Sequence, residues 1–171
     1  LIGTIGVGEA TVPGIHQFTQ FLGLKESEFI KATNATFKLG IEFEHWAGVD
    51  TRFFHPFGGY GVQIEERPFY QTWWSGQQQG YAEGLDQFCL CTQLAKAGKF
   101  ALPSFDESSR LAWYNYAYHF DASLFAKFLR GYAEARRVQR IEGKINHIQV
   151  DAESGFIQSV SMESGQVVTG D

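Results

Sequence analysis

The sequence predicts a mixed fold of helices and strands, α+β or α/β in class, closing in an antiparallel β-meander. Three observations predict it. Apolar residues recur at helical spacing in residues 12–22 and again after Asp121. Between Thr36 and Glu44 the period changes to two, the spacing of a strand. The last third alternates strand-like runs with two turn sequences, Asp151-Ala152-Glu153-Ser154-Gly155 and Glu163-Ser164-Gly165.

In chain order, the first element is a bend. Gly6-Val7-Gly8-Glu9-Ala10-Thr11-Val12-Pro13 reads as backbone made to lie against a ligand. Gly6 and Gly8 have no side chain, so the chain there can turn tightly and approach a bound group. Thr11 suits a helix N-cap and Pro13 a first helical turn. The helix is expected to open just past the glycines, with its positive end toward the bend. Ile15, Phe18, Phe21 and Leu22 form its apolar stripe, and Gly23 ends it. A second helix spans about Glu26 to Thr33, burying Phe29 and Ile30, and Asn34 breaks it. The strand from Thr36 to Glu44 then sets Phe37, Leu39, Ile41 and Phe43 on one face. Thr36, Lys38, Gly40, Glu42 and Glu44 lie on the other. Taken alone, Lys38 is most simply a solvated strand lysine. Gly40 beside it hints at a cleft, because glycine leaves room in a strand.

Residues 47–69 read as irregular, glycine-rich and aromatic, with short strands. His55, Phe57 and Tyr60, with Trp73 and Trp74 beyond, either line a pocket for a flat substrate or fill a core. His55 has no Cys, Asp or His cluster near it, so no metal role is expected. Gln77-Gln78-Gln79-Gly80 reads as a polar turn. A helix over 85–97 buries Leu85, Phe88 and Leu94 and stops at Gly98. Pro103 marks a loop, and Tyr114, Tyr116 and Tyr118 alternate with Asn115, Ala117 and His119 as in a strand. Asp121 caps the clearest helix, whose stripe is Leu124, Phe125, Phe128, Leu129 and Tyr132. Phe120 and Phe125 can staple its start, and Arg136 and Arg137 suit its end. His119 is most simply a satisfied structural residue at this junction. Meander strands are expected near 141–150, 156–162 and 166–170.

With 171 residues, 44% hydrophobic and 16% aromatic, the chain has material for one sizeable core. A net charge of −5 without a basic run argues against nucleic acid as a partner. No apolar run reaches the roughly 18 residues of a membrane span, and no signal-peptide pattern is present. Cys89 and Cys91 are too close for good disulfide geometry and too few for zinc. Reduced thiols of this kind suit a cytoplasmic protein. Leu1 and the strand-like final residues lead us to expect an internal piece of a longer protein.

The bend, read with Asn34-Ala35-Thr36-Phe37-Lys38, His55-Pro56-Phe57-Gly58 and Tyr118-His119-Phe120-Asp121-Ala122, resembles the flavin-dependent tryptophan halogenases. The resemblance runs over most of the chain. It implies part of an FAD-binding, flavoprotein-monooxygenase-like fold of Rossmann type with two domains. Residues 1–35 would form the flavin strap and its helices, 36–120 the substrate side, and 121–171 a helix and meander returning to the FAD-binding core. Family members use reduced FAD, O2 and halide to make hypohalous acid. It passes through an internal tunnel to a lysine beside the aromatic substrate. The resemblance puts that lysine at Lys38 and flavin contacts at Gly6, Gly8, Glu9, Ala10 and Ile145. His55 and Phe57 would line the indole pocket. It further implies FADH2 from a separate flavin reductase, with homodimerisation left open, and tryptophan, indole or another electron-rich arene as substrate.

The dinucleotide fingerprint G-x-G-x-x-G would precede Gly6, and the W-x-W-x-I-P motif and partner glutamate would follow Asp171. The piece alone is therefore expected to be inactive. Two other readings stand beside this one. A related FAD monooxygenase would hydroxylate its substrate and need no lysine at position 38. A non-catalytic α+β domain would use its aromatics as core.

Overall fold

The structure is a computed structural model that describes residues 10–170. Gly6, Gly8 and Glu9 lie outside the described residues. Two compact units divide the chain after Leu129.

In the first unit, α1 (Ile15–Phe21) and α2 (Glu26–Thr33) precede three strands, β1 (Thr36–Lys38), β2 (Gly40–Glu44) and β3 (Arg52–Pro56). The helix α2 has the bounds that its apolar spacing predicts. Asn34 ends it in the left-handed conformation, φ 53°, which a short polar side chain tolerates. The start of α1 departs from the expected cap. Its N-cap is Gly14, with no side-chain bond. The Thr11 hydroxyl is engaged instead with the backbone of Tyr118. Phe21 is 87% exposed, so the stripe of α1 is not a buried face throughout.

The expected strand over 36–44 is two strands. Leu39 is buried, and its carbonyl accepts from Phe57 N–H at 2.8 Å and from Cys91 Sγ at 3.0 Å. That turns Leu39 out of the ladder. β1 then pairs with β4 (Ala117–His119), whereas β2 pairs with β3, both antiparallel. Gly40 marks no cleft. A Cβ there would meet the Phe54 ring at 2.4 Å and the His55 carbonyl at 2.5 Å, so glycine is required by close packing.

Two helical regions differ from expectation. Helix α3 (Phe69–Gln78) contains Trp73, Trp74 and the first two residues of the glutamine run. It buries none of its residues. The helix expected over 85–97 is a 3-10 turn, Leu85–Phe88, followed by α4 (Leu90–Lys96). They are separated by Cys89, which is extended and fully buried. Cys89 and Cys91 are both free thiols.

Two aromatic-rich clusters fill this unit. Leu39, Cys89, Cys91 and Tyr114 form one, with Phe54, Phe57 and Tyr60 packed against it. Phe29, Tyr118 and Phe120 form the other, with Ile15 and Phe125 against it. Helix α5 (Ala122–Glu134) starts as the sequence indicates. The Asp121 carboxylate accepts from Leu124 N–H at 2.9 Å. The Phe120 and Phe125 rings meet at 4.7 Å, completing the staple.

The second unit holds the meander. β5 (Ile145–Val150), β6 (Ile157–Met162) and β7 (Val167–Val168) follow one another in an antiparallel sheet of that order. Asp151 organises the first turn by accepting from the N–H groups of Glu153 and Ser154 and from the Ser154 hydroxyl. Gly155 and Gly165 take positive φ, 73° and 86°, where a side chain would be strained. Every named strand pair is antiparallel, so the described residues are mixed helix and strand without a parallel sheet.

Candidate active site

The site is built on β4, which is held from both edges. On one side it pairs with β1, placing Lys38 opposite Ala117 and Thr36 opposite His119. On the other lie Ala10 and Thr11. Ala10 bridges His119, and Thr11 N–H donates to the Tyr118 carbonyl at 2.9 Å. The Thr11 hydroxyl donates to that same carbonyl at 3.0 Å and accepts from Tyr118 N–H at 3.1 Å.

Lys38 joins the two edges. Its Nζ donates to the Thr11 carbonyl at 2.9 Å. The same ammonium lies 5.5 Å from the centroid of the Phe57 ring, within cation–π range. Desolvation by burial pulls the lysine below its ordinary pKa. It is thus not the solvated strand lysine that the alternation alone suggests. Phe57 is itself fixed. Its N–H donates to the Leu39 carbonyl and its carbonyl accepts from Asn115, each at 2.8 Å.

His119 is drawn into the same field. Burial first, and the Lys38 charge second, hold its imidazole below the usual histidine range. His55 is placed differently. It lies on β3 with its backbone opposite Ile41 and its side chain exposed. What meets Lys38 among the described residues is Thr11, Phe57 and, through charge, His119. Ala10 is exposed beside Thr11. Ile145 belongs to the other unit, at the start of β5, which is an edge strand of its sheet.

Sequence reasoning missed a polar cluster behind the lysine. The Tyr116 and Tyr118 hydroxyls both donate to Glu26 Oε1, each at 2.6 Å. His16 Nε2 lies 2.7 Å from the Tyr116 carbonyl. The alternation of the tyrosines puts Tyr116 and Tyr118 on one face, and Glu26 opens the helix facing them. That pairing is invisible until α2 and β4 are brought together. A separate cavity of about 470 Å³ is lined by Gly59, Val62, Phe69, Phe88 and Arg110, among others, and not by Lys38, His55 or Phe57. Among the described residues, no three His, Cys, Asp or Glu side chains gather as a metal site. No helix there is long and apolar enough to cross a membrane.

A family model described as tryptophan halogenase matches residues 1–171. The 7-chloro-L-tryptophan 6-halogenase KtzR of Kutzneria sp. (strain 744) is 35% identical, over 97% of this chain and 36% of its own length. Among solved structures, Xcc4156, a flavin-dependent halogenase from Xanthomonas campestris, matches with a TM-score of 0.88 at 42% identity. That match covers 99% of this chain and 33% of the other. BrvH, a flavin-dependent halogenase from Brevundimonas sp. BAL3, matches with a TM-score of 0.87 at 39% identity, over 94% of this chain and 32% of its own. The chain therefore spans about a third of the length of these relatives. The fold expected from the resemblance is the one observed, a portion of the flavin-dependent halogenase fold. With a family model matched from the first residue to the last, the chain belongs to the tryptophan halogenase family.

Proposed function

We propose that this chain carries the lysine-bearing part of an FAD-dependent halogenase that chlorinates or brominates an electron-rich arene such as tryptophan or indole. The observation that carries the reading is the half-buried Lys38 ammonium. It is held by the Thr11 carbonyl and faces the Phe57 ring.

The described residues fit a flavin where they can be compared with one. Ala10 is exposed, has only a methyl side chain, and is anchored to His119, so a flat group can lie against the backbone there. Ile145 starts an edge strand, whose outer main-chain groups the sheet leaves for another partner. Gly6, Gly8 and Glu9 complete the proposed set. Reduced FAD, delivered by a separate reductase, would supply hypohalous acid from O2 and halide.

The chain's own residues account for the rest. Lys38 Nζ donates a hydrogen bond to the oxygen of hypohalous acid and polarises the O–halogen bond. An arene π pair forms the carbon–halogen bond as the O–halogen bond breaks. The departing oxygen takes a proton from the ammonium and leaves as water. The proton lost from the ring carbon returns the amine to ammonium. Phe57 and His55 would border the ring. Lysine suits this role because it is a compact cation with several donors, and burial brings its amine form within reach. Family membership favours halogenation over the hydroxylase alternative.

The test is Lys38→Ala and Lys38→Met in the full-length enzyme, measured as halogenated product per reduced flavin consumed. Loss of a charge-assisted donor at the reacting group is expected to cost about two to three orders of magnitude in rate. Flavin oxidation should continue. A Lys38→Met enzyme that halogenates at close to the parent rate would overturn the reading.

A further inference from the structure

Lys38 does not point straight out from its strand. β1 lies on one edge of β4 and Thr11 on the other, yet Lys38 Nζ reaches the Thr11 carbonyl. The stem must therefore cross β4, where the register partner of Lys38 is Ala117, which is fully buried. A larger side chain there would occupy the path. The carbonyl at the far end is equally constrained. Three hydrogen bonds tie Thr11 to the backbone of Tyr118, two of them through the threonine hydroxyl. That hydroxyl is the group expected to cap α1, and it does not do so.

We propose that Thr11 is a positioning residue for Lys38: its hydroxyl clamps its own backbone to β4, so that its carbonyl holds the ammonium, and Ala117 keeps the crossing open. The inference rests on the reading of Lys38 as the group that directs the halogen. A carbonyl acceptor stabilises the ammonium over the amine. It opposes the desolvation that lowers the lysine's pKa. Among the described residues, the groups facing the ammonium are the Thr11 carbonyl, the Phe57 ring from the segment after β3, and His119 from β4. His119 is the titratable one. Its charge would oppose the ammonium, and burial keeps it neutral to lower pH.

Removing the hydroxyl while keeping the shape isolates the effect. In full-length Thr11→Val, the carbonyl loses its clamp, and the ammonium spends less time in place. Product formed per flavin oxidised should fall about three- to tenfold in kcat, with KM for the arene little changed. The alkaline limb of the pH–rate profile, which reports loss of the ammonium, should move to lower pH. A flavin-free readout accompanies it. Reductive methylation of Lys38, followed by peptide mass spectrometry at neutral pH, should be faster in Thr11→Val, because more amine is present and it is less restrained. Thr11→Ser, which keeps the hydroxyl, should restore all three values. If Thr11→Val melts early, Ala117→Val is expected to move the same readouts by obstructing the stem. An unmoved alkaline limb and an unchanged methylation rate in the folded variant would overturn the inference. Lys38→Met is run beside them. An inactive Lys38→Met with an unaltered Thr11→Val defeats only the positioning role. An active Lys38→Met defeats the reading beneath it.

Discussion

The Phe57 ring lies 5.5 Å from the Lys38 ammonium, and the Phe57 backbone is bonded on one side to Leu39 and on the other to Asn115. The ring is therefore not free to follow the lysine. It offers a fixed electron-rich face to a cation that burial has partly stripped of water. Such contacts contribute about 0.5 to 2 kcal/mol, more as water is excluded.

Phe57→Leu keeps the apolar volume and removes the π face. In the full-length enzyme it is expected to lower halogenation by roughly two- to thirtyfold, the rate equivalent of that range. Phe57→Tyr should retain most of the activity. Thermal melting separates this from damage to the cluster of Leu39, Cys89, Cys91 and Tyr114, against which Phe57 packs. Equal activity in the Leu variant and the parent would show that the ring has no electrostatic role.

Gly40 is expected to tolerate no side chain. The added Cβ of Gly40→Ala would sit 2.5 Å from the His55 carbonyl, a backbone atom that cannot swing aside. Overpacking of this kind costs about 1–3 kcal/mol, so the melting temperature should fall by several degrees. The strain falls on the β2–β3 pair that leads into Phe57, so the product yield per flavin should fall with it. A melting temperature equal to the parent's would show that the hairpin does not pack as described.

Asp121→Ala removes the N-cap of α5, where the carboxylate accepts from Leu124 N–H. The expected cost is about 1 kcal/mol, measured by denaturant unfolding of the full-length protein. Asp121→Asn should recover most of it. A loss no greater than that of an ordinary surface substitution, within about 0.5 kcal/mol, would argue against the cap.

The parts of the fold that were legible in the sequence are those governed by local chemistry. Asp121 with Phe120 and Phe125 announces a helix start without help from elsewhere, and Gly155 and Gly165 announce turns. The misread parts are those where a distant partner overrides the local pattern. Thr11 looks like a cap until β4 takes its hydroxyl. The alternation of 36–44 looks like one strand until Phe57 and Cys91 take the Leu39 carbonyl. Gly40 looks like a gap until Phe54 fills it. The same holds at the site. The motif with Lys38 pointed to the lysine through resemblance, whereas its partner Thr11 required knowing that β4 stands between them. His55 and Phe57, two residues apart on the chain, lie in one motif. Only Phe57 is brought to the lysine, because β3 ends at Pro56 and the chain turns toward Leu39.

Glu26 and the two tyrosines behind β4 give the last expectation. Both hydroxyls donate to one carboxylate oxygen at 2.6 Å, short enough for charge-assisted bonds. Burial first, and Glu26 next, push both tyrosines above their ordinary range. Burial likewise pushes the Cys91 thiol up to about 11. All three groups are more easily ionised in the unfolded chain than in the fold. Their contribution to stability is therefore complete below the unfolded values, about 8.5 for a thiol and about 10 for a tyrosine, and is lost as pH rises beyond them. The full-length protein should thus lose stability progressively from about pH 9 upward. Tyr118→Phe should be less stable at pH 8, because Glu26 loses a donor, but should lose less between pH 10 and 12, because one buried titrating group is gone. Glu26→Gln removes the negative charge that opposes tyrosinate in the fold, so the folded tyrosines ionise more readily and less stability should be lost between pH 10 and 12 than in Glu26 protein. Urea unfolding at a series of fixed pH values measures all three. Parallel curves for the parent and Tyr118→Phe above pH 10 would mean that the tyrosine ionises as readily in the fold as outside it, and the Glu26 cluster would then have no hold on its proton.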